Sequence, residues 1–171
     1  MTLTAKVQLR VEATQLGANG LASQKFTPVV SAALALANGT GVNQADLVYA
    51  EERAVASATN DDIDLRGVLA DAFGATLNIA EIVAIAIVNA AADGTANTTA
   101  LTIGGGTNPF AGIWGTAGDQ IVIPPGGMFL IAAAGAAGLG TAGAGASDIL
   151  RVANASGAAA DYQIVIIGRS A

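Results

Sequence analysis

Histidine and cysteine are wholly absent from this chain of 171 residues, and charged side chains make up only 12% of it. The first absence removes the usual general base and the commonest metal ligand; together the two exclude Ser-His-Asp, Cys-His and thiolate-metal chemistry. Aromatics are scarce as well, at 4%, whereas 53% of the residues are hydrophobic and 22 are glycine. What is left is mainly alanine, valine, isoleucine and leucine, side chains that suit close packing of strands. The composition therefore points to a structural or assembly protein and away from an enzyme. A chain of this length buries roughly 70% of its unfolded surface, so it needs no disulfide staple. Its lack of cysteine is compatible with a reducing compartment.

The net charge is −6, and the seven basic residues, Lys6, Arg10, Lys25, Arg53, Arg66, Arg151 and Arg169, are scattered singly. Phosphate neutralisation needs a clustered basic stripe, so no nucleic-acid partner is expected. The N-terminal residues alternate polar and apolar and lack the apolar core of a signal peptide, so none is expected. The longest apolar runs, Ile82 to Val88 and Met128 to Ala134, fall well short of the roughly 18 residues that span a bilayer, and no membrane partner is expected either. So sparse a charge would leave apolar surface bare on a lone subunit. The expectation is a homo-oligomer, with a trimer as the symmetry.

Hydrophobic periodicity predicts strands almost throughout. Leu3, Ala5, Val7, Leu9, Val11 and Ala13 fall on one face of the first segment, and Thr4, Lys6, Gln8, Arg10, Glu12 and Thr14 on the other. Gly17, Asn19 and Gly20 turn the chain, and a second run after Pro28 places Val30, Ala32, Leu34 and Leu36 on one face before the turn Asn38-Gly39-Thr40-Gly41. These two runs read as a long antiparallel pair. Further strands are predicted over 47–57, 76–88, 98–103, 120–123, 128–134, 148–153 and 162–167, with Asn60-Asp61-Asp62 as a turn and one or two helical turns over 68–73. The expected fold is all-β, an antiparallel β-sandwich of jelly-roll type with a long N-terminal β-hairpin. It is a single domain over 1–171, with 1–45 as a strand pair packed on that domain or on a neighbouring subunit. Leu3, Val7, Leu9 and Val11 are the candidate interface residues. The Gly/Ala tract 135–146 is a second candidate contact, as a flexible or tightly apposed loop.

The candidate chemical motifs have plain structural readings. Gly138, Gly140 and Gly143 match a dinucleotide-binding spacing, but no helix is expected to follow, so no cofactor is expected. Asp61, Asp62 and Asp64 lack the rest of a calcium loop, so no metal site is expected. Glu51 and Glu52 are adjacent and point to opposite faces of a strand, so they cannot pair as catalytic carboxylates. Glu81, within the most apolar strand, calls for an arginine partner. Asn38, Asn97 and Asn154 sit in glycosylation-acceptor patterns and read as polar turns.

Several stretches, ALALANGTG, ADLVYAEERAVAS, DDIDLRGVLADAFGATL, IPPGG and DILRVANASGAAADYQIVIIGRSA, together cover most of the chain. They resemble small structural proteins of tailed bacteriophages, and among these the resemblance points to head decoration (cement) proteins. The resemblance implies a virion component, made in the bacterial host cytoplasm, that sits on the outer capsid surface and bridges the major capsid protein. It carries no catalytic residues. A tail, fibre or adaptor component is the alternative within assembly proteins. A carbohydrate-binding module is the alternative outside them and would use exposed aromatics such as Trp114, Tyr49 or Tyr162.

Overall fold

The structure is a computed structural model and describes residues 2–18, 23–155 and 157–171. Among these residues every regular element is a strand. The alternating N-terminal segment forms β1 (Ala5–Glu12), which pairs antiparallel with β4 (Val29–Asn38) in the register Ala5–Leu36, Val7–Leu34, Leu9–Ala32 and Val11–Val30. Opposite residues share a face, so these four pairs make one continuous apolar surface, with Lys6, Gln8 and Arg10 on the reverse. A second pair, β2 (Gln15–Ala18) and β3 (Ser23–Phe26), lies between them in the chain as the tip of the arm. Gly17, expected in the turn, lies within β2; Asn19 and Gly20 fall outside the described residues.

The body consists of two sheets. A front sheet has the order β11-β8-β14-β6, formed by β6 (Leu47–Val55), β8 (Glu81–Val88), β11 (Met128–Ala132) and β14 (Ala160–Arg169). The two-residue β12 (Gly140–Thr141) adds to β8. A back sheet has the order β10-β9-β13-β7, formed by β7 (Thr59–Asp64), β9 (Leu101–Gly104), β10 (Gln120–Ile123) and β13 (Ile149–Asn154). Every pair within these two sheets is antiparallel. They pack face to face, sandwich-like, around Ile63, Leu65, Ile85, Ile87, Leu101, Ile103, Leu150, Ile164 and Ile166, all essentially excluded from solvent. The chain changes sheets at almost every step of the body; the successive strands that share a sheet are β9 with β10 and β11 with the short β12. A short β5 (Gln44–Ala45) pairs parallel with the end of β4 and joins arm to body.

Three segments depart from the sequence reading. Asn60-Asp61-Asp62, expected as a turn, lies inside β7; the chain reverses earlier, at Ser57-Ala58, where Ala58 takes a left-handed backbone. Acidic residues are tolerated in β7 because neighbouring strands supply arginines. Residues 68–73 are not helical: the Asp71 carboxylate accepts hydrogen bonds from the amides of Phe73 and Ala75 and closes a polar turn. The strand expected over 76–88 begins only at Glu81, because Leu77 and Ile79 donate their amides to Leu69 and Leu65 in that preceding loop. The Gly/Ala tract is tightly apposed to its own body. At Gly138, with φ +54°, an added Cβ would sit 2.3 Å from the Ile82 carbonyl oxygen, so both the conformation and the contact require glycine.

Candidate functional site

The arm is apolar along its whole length but buried along only half of it. Near the base, Leu3, Ala5, Val7, Leu34 and Leu36 pack on the outer face of the front sheet against Val83, Ala84, Ala134 and Ile167. Farther out the same face is bare: Leu9 is 48% exposed, Val11 57% and Val30 63%. Of the four interface residues expected from the sequence, Leu3 and Val7 thus pack on their own body, whereas Leu9 only borders a groove beside it and Val11 is bare. At the tip, Leu16 and Phe26 are also exposed.

The base of the arm is fastened by polar contacts. The Leu3 amide donates to Asn38 Oδ1 at 2.8 Å, and the Asn43 amide to the Ala134 carbonyl at 2.9 Å. Beneath them lies Arg169, completely buried at the end of β14. Its Nε donates to the Gln44 carbonyl at 3.0 Å. One terminal nitrogen donates to Glu81 at 2.9 Å and to the Ala136 carbonyl at 3.0 Å. The other reaches the Gly135 and Ala134 carbonyls at 2.9 and 3.4 Å. Every guanidinium N–H has an acceptor, which a buried charge requires. Arg169 is thus the partner that Glu81 called for, and it ties together β5, β8, β14 and the Gly/Ala tract.

A second bare apolar surface runs beside the arm. On the outer face of the front sheet, Leu130, Ala86, Val165 and Ala50 stand opposite one another across four adjacent strands. Leu130 is 38% exposed and Val165 37%. In the next row are Met128, Val88, Gln163 and Glu52. A groove of about 360 Å³ separates this face from the arm, lined by Val7, Leu9, Ala32, Leu34, Leu130 and Ala132. Sequence reading missed the row because each member lies on a different strand. The signal was present only as outward positions alternating with the inward-facing Phe129, Ile131, Ile164 and Ile166.

The principal polar cluster closes one edge of the sandwich, where β6 of the front sheet meets β7 of the back sheet. Arg53 grips Asp61 with two hydrogen bonds, at 2.6 and 2.7 Å, and also reaches Tyr49 Oη at 2.7 Å and Glu51 at 2.9 Å. Tyr162 donates to Asp61 at 2.8 Å, and Tyr49 donates to Glu51. Burial disfavours ionised Asp61, but the bonds from Arg53 and Tyr162 outweigh it and hold the carboxyl below its ordinary range. Burial, then the bond to Glu51, pushes the Tyr49 hydroxyl up to about 12; burial and Asp61 push Tyr162 up as well. Asp61 is therefore ionised at neutral pH and is no proton donor; the cluster acts as a clasp between the sheets. Within the back sheet, Arg151 of β13 holds Asp62 of β7 at 2.6 and 2.7 Å.

The remaining candidate residues are dispersed. Glu51 joins the clasp, while Glu52 on the opposite face accepts the Ala92 amide at 2.7 Å. Asp64 accepts the Arg66 amide at 2.9 Å. Among the described residues no group of three or more His, Cys, Asp or Glu side chains is arranged to hold a metal ion. Gly138 to Gly143 opens no helix. Trp114 stacks on Phe129 with ring centroids 5.9 Å apart and is partly buried against the core. The Asn97 and Asn154 amides are engaged in hydrogen bonds within the fold. No family model, no curated protein and no solved structure gives a significant match to this chain, so the likeness to phage structural proteins rests on the sequence segments themselves.

Proposed function

We propose that this chain is a non-catalytic structural subunit of a tailed-phage virion: a capsid decoration protein that stabilises the assembled head by bridging major capsid subunits from outside. The observation that carries the reading is the arm, a two-stranded projection whose apolar face is half covered by its own body and half left for a neighbour. A two-stranded ribbon is marginal in water by itself, and a bare apolar face on it marks an assembly surface. The order of strands adds support. Numbering the eight principal body strands along the chain turns the sheet orders into 6-3-8-1 and 5-4-7-2, which supports reading the sandwich as a jelly roll, an architecture found among capsid proteins. The net charge of −6 favours the outer surface over contact with packaged DNA. We propose a homotrimer as the working unit.

A lattice-binding protein stabilises the lattice by mass action. Particles lacking the chain are therefore expected to rupture at lower temperature, or under milder osmotic shock, than particles carrying it, and gold-labelled antibody should mark the heads. Label on the tail with unchanged head robustness moves the assignment to a tail, fibre or adaptor component. Absence of the chain from purified particles overturns the virion reading.

A further inference from the structure

The arm and the body differ in charge as well as in burial. The arm, up to Asn38, carries Lys6, Arg10 and Lys25 against a single acid, Glu12. The rest of the chain carries four arginines against twelve acids. Three of those arginines, Arg53, Arg151 and Arg169, are already engaged by Asp61, Asp62 and Glu81. A basic, half-bare apolar arm and an acidic body with a bare apolar row are complementary in both respects. They occur on one molecule, so a second copy presents each with its counterpart.

We infer that the distal arm of one copy docks its Leu9, Val11 and Val30 face on the Leu130–Ala86–Val165–Ala50 row of a second copy, within a closed ring of arm exchange. This deepens the assembly reading above and rests on its homo-oligomer. Size favours exchange over one-sided docking. Ten residues of ribbon at about 3.4 Å each, roughly 10 Å wide, present a face of about 340 Å². Used once, that is below the roughly 800 Å² each partner gives to a stable interface. Where two copies exchange arms, each gives one and receives one across the same interface and buries about 700 Å² there, close to that figure; a larger ring spreads the same area over two contacts that hold each copy together. The arm's lysines lie on its reverse, so Glu52 and Asp161 act on them as longer-range attraction, which affects association rate and orientation more than the apolar contact does.

The lack of cysteine makes the test clean. Two single-cysteine variants, Val11→Cys and Val165→Cys, are mixed and oxidised. The expected product is a disulfide-linked pair of chains containing one of each, formed in preference to either self-linked pair. Gln8→Cys, on the reverse of the arm, should give none with Val165→Cys. Sedimentation should show self-association that weakens at least tenfold in Val11→Asp and in Val165→Asp, with the far-UV spectrum of both unchanged, and that weakens with added salt. An oligomer whose only cross-links lie elsewhere overturns arm exchange but leaves the assembly reading intact. A monomer at about 100 μM with no mixed cross-link also overturns arm exchange. Gold label on the heads would then keep the virion reading, with the arm on a capsid subunit.

Discussion

The arm and the body are built from the same residues in opposite circumstances. β1 and β4 together are as apolar and as regular in period as β13, yet the distal arm is exposed where alternate residues of β13 lie buried. Alternation specifies a strand and its faces; it does not specify what covers them. In the body the cover is a second sheet of the same chain. In the arm it is the body for half the length and nothing intramolecular for the rest. The body's stability thereby rests on its own sheets while the distal arm lacks intramolecular cover, and substitutions should divide accordingly.

The largest effect is expected at Arg169. Arg169→Ala leaves Glu81 without its partner and the Gln44 and Ala136 carbonyls without a donor, which should cost about 3–5 kcal/mol. At this chain length that is a fall in melting temperature of about 10 °C, measured by calorimetry. Ile85→Ala, in the core between the sheets, should cost a similar about 2–5 kcal/mol in urea unfolding.

Next in size is the clasp. Asp61→Asn keeps the shape but loses the charge that Arg53 and Tyr162 bind, at an expected cost of about 2 kcal/mol. A carboxyl held low stabilises the fold fully above its unfolded value near 4, and that contribution is lost as pH falls through the folded value. The variant's acid unfolding curve should therefore be flatter than the parent's. Tyr49 runs the other way. Its raised value gives a contribution present below about pH 10 and lost as pH climbs towards 12, so Tyr49→Phe should flatten the alkaline limb.

The smallest effect on stability is expected at Leu9. Leu9→Ala should change the unfolding free energy of the dilute chain by less than about 0.5 kcal/mol, because the side chain is half exposed there. A loss matching that of Ile85→Ala would mean that the arm folds down on its own body, and the division between the two regions would fail.

Much of the backbone was readable from the sequence because its signals are local. The period-two runs located β1 and β4 on the correct faces, and Gln120 to Ile123 was bounded correctly by its glycines and prolines. The errors arose where a distant residue decides. Asn60-Asp61-Asp62 has turn composition, but Arg53 and Arg151 from two neighbouring strands make it a strand. Residues 68–73 carry helix formers, but the Asp71 side chain captures the local amides. The apolar row of the front sheet was invisible because its four residues meet only through the sheet order. The half-coverage of Leu3, Val7, Leu9 and Val11 was equally hidden, since all four have the same local pattern.

The junction at Arg169 has a mechanical consequence. A pull on the arm travels down β4, crosses the two-residue parallel pairing to β5, and reaches the Gln44 carbonyl held by the Arg169 side chain. From there it enters β14, which is flanked by β8 and β6 and hydrogen-bonded along both edges. Tension applied at the outermost tip enters β6 along the chain, and the Arg169–Gln44 and Asp46–Gly168 hydrogen bonds share it with β14 in the middle of the front sheet. An arm rooted in this way can carry tension while the body keeps its shape.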